Sequence, residues 1–158
     1  MDGRQRGPGA PIPPTAVFVV GFLLAWGLHV ALPSPIERDE LSSVQHTVGT
    51  LLVLLGAVLF LWGLRTFAVV RTGIMLQKPA LTLVGSGPYR WSRNPMYVGF
   101  TAIYIGAALI ANTVWPLVVL PLVIVTVAVG VIAREERYLR HTFGPAYDEY
   151  CQRVGRWL

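Results

Sequence analysis

Residues 96–131 carry no charged side chain, and this run constrains the fold more than any other feature of the chain. About 20 apolar residues span the roughly 30 Å of a bilayer's hydrocarbon core, with about 17 as a lower limit. A single helix over 96–131 would overshoot, so the run must fold back on itself. Asn112-Thr113 followed by Trp115-Pro116 supplies a turn in its middle. The pattern predicts a tight helical hairpin with arms over 96–111 and 115–132. The first arm is short, at 16 residues. Pro116 suits an early helical position, and Pro121 is expected to kink the second arm.

Two further apolar stretches, 16–32 and 47–64, read as spans. The first is interrupted only by His29, and the second meets no charge before Arg65. Of 158 residues, 54% are hydrophobic and 13% charged, with a mean hydropathy of +0.56. That is too apolar for a soluble domain and too short for more than one bundle. The expectation is an all-α membrane protein with about four transmembrane helices, the last two forming the hairpin, plus a cytoplasmic connector and a helical C-terminal tail. Residues 1–14, rich in Gly and Pro, read as a disordered tail, and 15–158 as a single integral-membrane domain. Arg4 and Arg6 ahead of the first apolar stretch resemble a secretory leader. The stretch is long for one, and Leu32-Pro33-Ser34-Pro35 runs into an acidic loop with no small-residue cleavage pattern.

Charge placement gives the orientation. The loop over 33–45 holds Arg38 against Glu37, Asp39 and Glu40, while twelve of the thirteen cations fall before the first span, between the second and third, or after the fourth. Lys and Arg accumulate in cytoplasmic loops, so a four-span chain with both termini cytoplasmic is expected, in a prokaryotic inner membrane. A net charge of +5 is accounted for by this topology and by contact with anionic headgroups, without invoking nucleic acid. Cys151 is the only cysteine, and His29, His46 and His141 have no ligand spacing between them. Neither a disulfide framework nor a metal site is expected.

Polar residues crowd both ends of the hairpin. Gly87-Pro88-Tyr89-Arg90-Trp91-Ser92-Arg93-Asn94-Pro95-Met96-Tyr97-Val98-Gly99 places cations and aromatic rings against the start of the apolar run, and Arg134-Glu135-Glu136-Arg137-Tyr138 follows its end. A two-armed hairpin returns to the interface it left, so both clusters meet the same membrane surface. Ionisable residues at that depth are candidates for a ligand site. In the tail, Phe143-Gly144-Pro145 is expected to divide the helix into two pieces. Trp115 and Trp157 read as interfacial anchors.

The same residues carry a resemblance. Leu83-Val84-Gly85-Ser86-Gly87-Pro88-Tyr89, Arg93-Asn94-Pro95-Met96-Tyr97-Val98-Gly99, then Glu135-Glu136-Arg137-Tyr138-Leu139, Phe143-Gly144-Pro145-Ala146-Tyr147, Tyr150 and Arg153-Val154 resemble the isoprenylcysteine carboxyl methyltransferase and phospholipid methyltransferase superfamily. The resemblance covers residues 81–157. It implies an integral-membrane methyltransferase that takes S-adenosylmethionine from the cytosol, releases S-adenosylhomocysteine and accepts a lipophilic small molecule from the bilayer. Carried over by position, it assigns the cofactor to Leu81, Thr82, Leu83, Val84, Tyr89, Arg93, Asn94, Pro95, Met96, Tyr97, Glu135 and Glu136, with Arg93, Tyr97 and Glu136 as catalytic residues. Asn94 stands where eukaryotic members have histidine, and Val131 and Ile132 offer no counterpart to an arginine some members place before the glutamates. These departures argue against prenylcysteine as the acceptor.

The residue types suit that cofactor. Its carboxylate suits the Arg93 guanidinium, its ammonium suits Glu135 or Glu136, and Tyr89, Tyr97 or Trp91 can present a ring to adenine or to the sulfonium. Two other readings compete: an NADPH-dependent membrane reductase of the sterol-reductase type, and a small membrane protein without enzymatic activity.

Overall fold

The computed structural model describes residues 13–36, 43–70 and 83–158. Residues 1–12 of the expected 1–14 tail, the acidic loop with Glu37, Arg38, Asp39 and Glu40, and the connector over 71–82 with Leu81 and Thr82 lie outside the described residues; Pro14 already belongs to the first helix.

Regular structure among the described residues is entirely helical. α1 (Pro14–Ala31) opens on a proline, whose missing N–H would be unpaired in a first turn in any case. α2 (Ser43–Val70) has 28 residues, and at 1.5 Å per residue it is about 42 Å long, more than a bilayer's hydrocarbon core. Its last turns therefore carry Arg65 beyond the apolar layer. α3 (Pro95–Ile110) has 16 residues and α4 (Trp115–Val127) has 13. α4 continues through a π-helical segment, Ala128–Ile132, into α5 (Ala133–Phe143). α4 continues through Pro121, whose missing N–H leaves out one intrahelical bond, and the pattern changes to π-helical at Ala128. Gly144, at a φ of 52°, ends α5, and Pro145 starts α6 (Pro145–Arg153). The tail divides where Phe143-Gly144-Pro145 predicts.

Three apolar helices are long enough to cross a membrane, over Pro14–Ala31, Ser43–Val69 and Trp115–Phe143, with Pro95–Ile110 as a shorter fourth. The chain is an integral membrane protein, and Leu23, Leu24, Leu55 and Leu122 turn outward from it, each more than half exposed. The hairpin turn forms at Asn112, whose φ is 47°, a left-handed conformation that Asn tolerates better than most residues. Its side chain fastens the neighbouring segments: Asn112 Oδ1 accepts from the Ile36 N–H at 3.0 Å and from Gln45 Nε2 at 3.2 Å. The Trp115 indole donates to the Leu32 carbonyl at 2.7 Å. This end of the bundle, called here the turn end, therefore gathers the end of α1, the start of α2 and the hairpin turn.

The hairpin arms find their main partners elsewhere: α3 lies along α2, and α4 along α1. Glycine spacing explains the first pairing. Gly49, Gly56 and Gly63 recur at intervals of seven on α2; Gly49 faces Gly106, Gly56 faces Gly99, and Gly63 takes the Met96 side chain of α3. A Cβ on Gly56 would stand 2.5 Å from the Gly99 carbonyl oxygen, and one on Gly106 would stand 2.5 Å from that of Gly49. Small residues let helix backbones approach this closely in a membrane. The second pairing buries Phe18, Tyr104, Leu120, Val123 and Val127, with the Phe22 and Tyr104 rings edge to face at 5.2 Å. At the other end of the bundle, α5, α6 and the segment 83–94 come together.

Candidate functional site

The start of α3 is built by short-range bonds. The Ser92 hydroxyl accepts the Asn94 N–H at 3.0 Å, and the Asn94 carbonyl accepts the N–H groups of Tyr97 and Val98 at 3.0 and 3.1 Å. Pro95 occupies the first helical position. Ahead of it, Gly87 adopts a φ of 59° with its Cα edge against Thr66 of α2, so a side chain there would be strained and crowded. The 3₁₀ turn Gly87–Arg90 then buries Pro88 and Tyr89. Arg93 and Tyr97 thus leave the N-terminal end of α3 facing the first turn of α5, which carries Glu135 and Glu136.

The two glutamates have different surroundings. Glu136 is buried and receives a two-pronged fork from Arg156, with Nε at 3.0 Å from Oε1 and Nη2 at 2.6 Å from Oε2. Arg93 Nη1 lies 3.1 Å from the same Oε1 and donates to Cys151 Sγ at 2.8 Å. The fork holds the Arg156 guanidinium above its ordinary range. Glu135 is half-buried and shares a side-chain hydrogen bond with the Tyr97 hydroxyl. Among the described residues no cation pairs with Glu135. Tyr89 is buried close to it with its ring edge-on to Phe67 at 5.0 Å. Burial first, then Glu135 and Tyr150, push the Tyr89 phenol above its ordinary range.

The last residues of the chain close over this cluster. The Arg93 N–H donates to the Gly155 carbonyl at 2.9 Å, Asn94 Nδ2 to the Arg156 carbonyl at 2.9 Å, and the Tyr150 hydroxyl to the Tyr89 carbonyl at 2.7 Å. Trp157 packs against the core cluster that includes Tyr97 and Ile132, not outward as an interfacial anchor, because the segment after α6 turns back toward α3. Arg156 was not legible as a site residue: in sequence it is one more cation after the tail helix.

Of the residues expected to bind a cofactor, Tyr89, Arg93, Asn94, Tyr97, Glu135 and Glu136 are gathered here. Met96 instead lies across Gly63 of α2. Leu83 packs on Tyr147, Tyr150 and Val154, Val84 is buried, and Pro95 starts the helix. Trp91 is exposed on the outer side, with its ring on Trp62 at 5.5 Å and the Arg90 guanidinium 5.1 Å over it. No group of His, Cys, Asp and Glu able to hold a metal occurs among the described residues.

Chemically, the cluster combines a carboxylate with no cation paired to it among the described residues, a guanidinium whose buried Nε has no acceptor and two phenol rings, at the end of an apolar bundle. Such a set suits a small zwitterion.

Known proteins agree with the class. The family model described as phospholipid methyltransferase matches residues 44–146. The chain is 38% identical over 73 residues to the protein-S-isoprenylcysteine O-methyltransferase of Saccharomyces cerevisiae, a match covering 46% of this chain and 30% of that relative's length. No solved structure matches. A family model spanning α2, the start of α3 and the whole of α5 takes in both halves of the polar cluster, and on that match the chain belongs to the phospholipid methyltransferase family.

Proposed function

We propose that this chain is an S-adenosylmethionine-dependent methyltransferase that works at the membrane surface on a lipophilic acceptor bearing a carboxylate, thiol or amine. One observation carries the reading: Glu135 is held against Tyr97 with no cation paired to it among the described residues, in the same cluster as an Arg93 Nε that has no acceptor. A half-buried carboxylate in such surroundings is costly unless a positive group pairs with it. The cofactor's ammonium supplies that group, and its carboxylate takes the Arg93 guanidinium in a charge-assisted bond. Bound there, the cofactor would present an activated methyl group to an acceptor entering from the hydrocarbon side. The protein then acts mainly by holding the two reactants in line. Tyr97 orients Glu135, the tyrosine rings offer electron-rich faces to the sulfonium, and the tail over Tyr97 excludes water. A carboxylate or thiolate acceptor needs no strong base, in keeping with the absence of any His among these residues. The enclosing helices are rich in Leu, Val, Ile and Ala, which favours a lipophilic acceptor.

The experiment is transfer of labelled methyl groups from S-adenosylmethionine to a membrane lipid extract. The wild-type protein should label an organic-soluble product. Glu135→Gln keeps the shape and loses the charge, and it should lower transfer at limiting cofactor by about tenfold or more, the scale of a charge-assisted bond. Full activity in that variant would remove Glu135 from the site.

A further inference from the structure

We infer that Arg156 is a positioning residue: by forking onto Glu136 it holds Arg93 to a single-nitrogen contact with that carboxylate, and so leaves the Arg93 Nε for the anionic group of the ligand. The inference rests on the reading above, in which Arg93 receives a carboxylate. Two guanidiniums compete for one anion here. Arg156 meets both Glu136 oxygens in line, at 3.0 and 2.6 Å, the geometry in which arginine binds carboxylates most specifically. Arg93 is left a side-on approach through a single nitrogen, 3.1 Å from Oε1, with its N–H aimed instead at Cys151 Sγ 2.8 Å away. Its Nε remains buried without an acceptor.

Removal of the Arg156 guanidinium would expose both Glu136 oxygens to the nearest cation, which is Arg93. Because a buried carboxylate strongly favours a charged partner, Arg93 would close the fork itself and turn its donors away from the ligand. The placement of Arg156 is itself fixed by backbone bonds: Asn94 Nδ2 holds its carbonyl at 2.9 Å, and the Arg93 N–H holds that of Gly155 at 2.9 Å. Gly155 and Arg156 therefore support the ligand site although no part of Arg156 need touch the ligand.

A double-mutant cycle tests this. Calorimetric titration with S-adenosylhomocysteine is run on the wild type, Arg156→Met, Glu136→Gln and the pair Arg156→Met with Glu136→Gln, each checked for a monodisperse elution profile. Arg156→Met should weaken binding by about tenfold or more, and adding Glu136→Gln should recover most of that loss, because a neutral amide no longer captures Arg93. Unchanged affinity in Arg156→Met, or no recovery in the pair, would overturn the inference. If Arg156→Met does not give a monodisperse protein, Arg156→Lys carries the test: it keeps the charge and loses the fork, and wild-type affinity in it would be equally contrary. A wild-type protein that binds no S-adenosylhomocysteine would instead remove the functional reading on which the inference stands.

Discussion

Glu135 and Glu136 are adjacent in sequence and differ in what surrounds them, which is the clearest lesson at the scale of single residues. Their presence at a membrane boundary was readable from the chain. Which of them has no cation paired to it among the described residues was not, because it depends on helix phase: the π-helical Ala128–Ile132 just before them adds a residue to the turn, and each residue of an α-helix advances the side chains by about 100°. Tyr150 offers a test independent of any ligand. Burial pushes its phenol up from 10.0 to about 12, against the smaller opposing effect of Arg93, while its hydroxyl donates to the Tyr89 carbonyl at 2.7 Å. Since the folded state holds that proton more tightly than the unfolded chain, its contribution is complete below about pH 10 and is lost as pH rises toward 12. Thermal unfolding in detergent should show this alkaline loss in the wild type and a smaller one in Tyr150→Phe, which should also be less stable at pH 7 by about 1–3 kcal/mol for the carbonyl left unpaired. Parallel alkaline profiles for the two proteins would contradict the assignment.

Among the elements, α2 and α3 depend on contacts at their glycines more than on side-chain interdigitation. The sequence shows Gly49, Gly56 and Gly63 as a small-residue face but not its partner, since a lipid-embedded face of that kind serves a neighbour in the same chain or in another copy equally well. The structure gives it to α3. Because a Cβ at Gly56 would already stand 2.5 Å from the Gly99 carbonyl oxygen and 2.8 Å from Ile103 Cγ1, Gly56→Leu should force the helices apart, with an overpacking cost of about 1–3 kcal/mol or more. A shift of α3 would also carry Arg93 and Tyr97 away from α5, so ligand binding should fall with stability. Gly27→Ala on α1, where nothing lies within 4 Å, is the control. Thermal unfolding of both variants decides the point: a wild-type midpoint for Gly56→Leu would mean that α2 and α3 are not in close contact.

Across the whole molecule, the described arginines, Arg65, Arg90, Arg93, Arg134, Arg137, Arg140, Arg153 and Arg156, all lie at or beyond the end that holds α5 and α6, and none lies at the turn end. Under the tendency of cations to stay on the cytoplasmic side, we propose that the polar cluster and both termini face the cytosol. Single cysteines replacing Ser43 and Ser86, both exposed, in a Cys151→Ser background should label from opposite sides of the membrane, and labelling from one side only would refute the topology. The helix count, the hairpin turn and the meeting of the two polar clusters were legible because apolar length and charge are local properties of the chain. The closure of the tail was not, because the bonds from Arg93 to Gly155 and from Arg156 to Glu136 join segments with nothing in their sequence to mark the pairing. The central claim is that these segments together hold S-adenosylmethionine, and the direct measurement is calorimetric titration of the detergent-solubilised protein with S-adenosylhomocysteine and, separately, with NADPH. Saturable binding of S-adenosylhomocysteine, about tenfold or more weaker in Glu135→Gln, with none for NADPH, is the predicted result; binding of NADPH alone, or of neither, would contradict it.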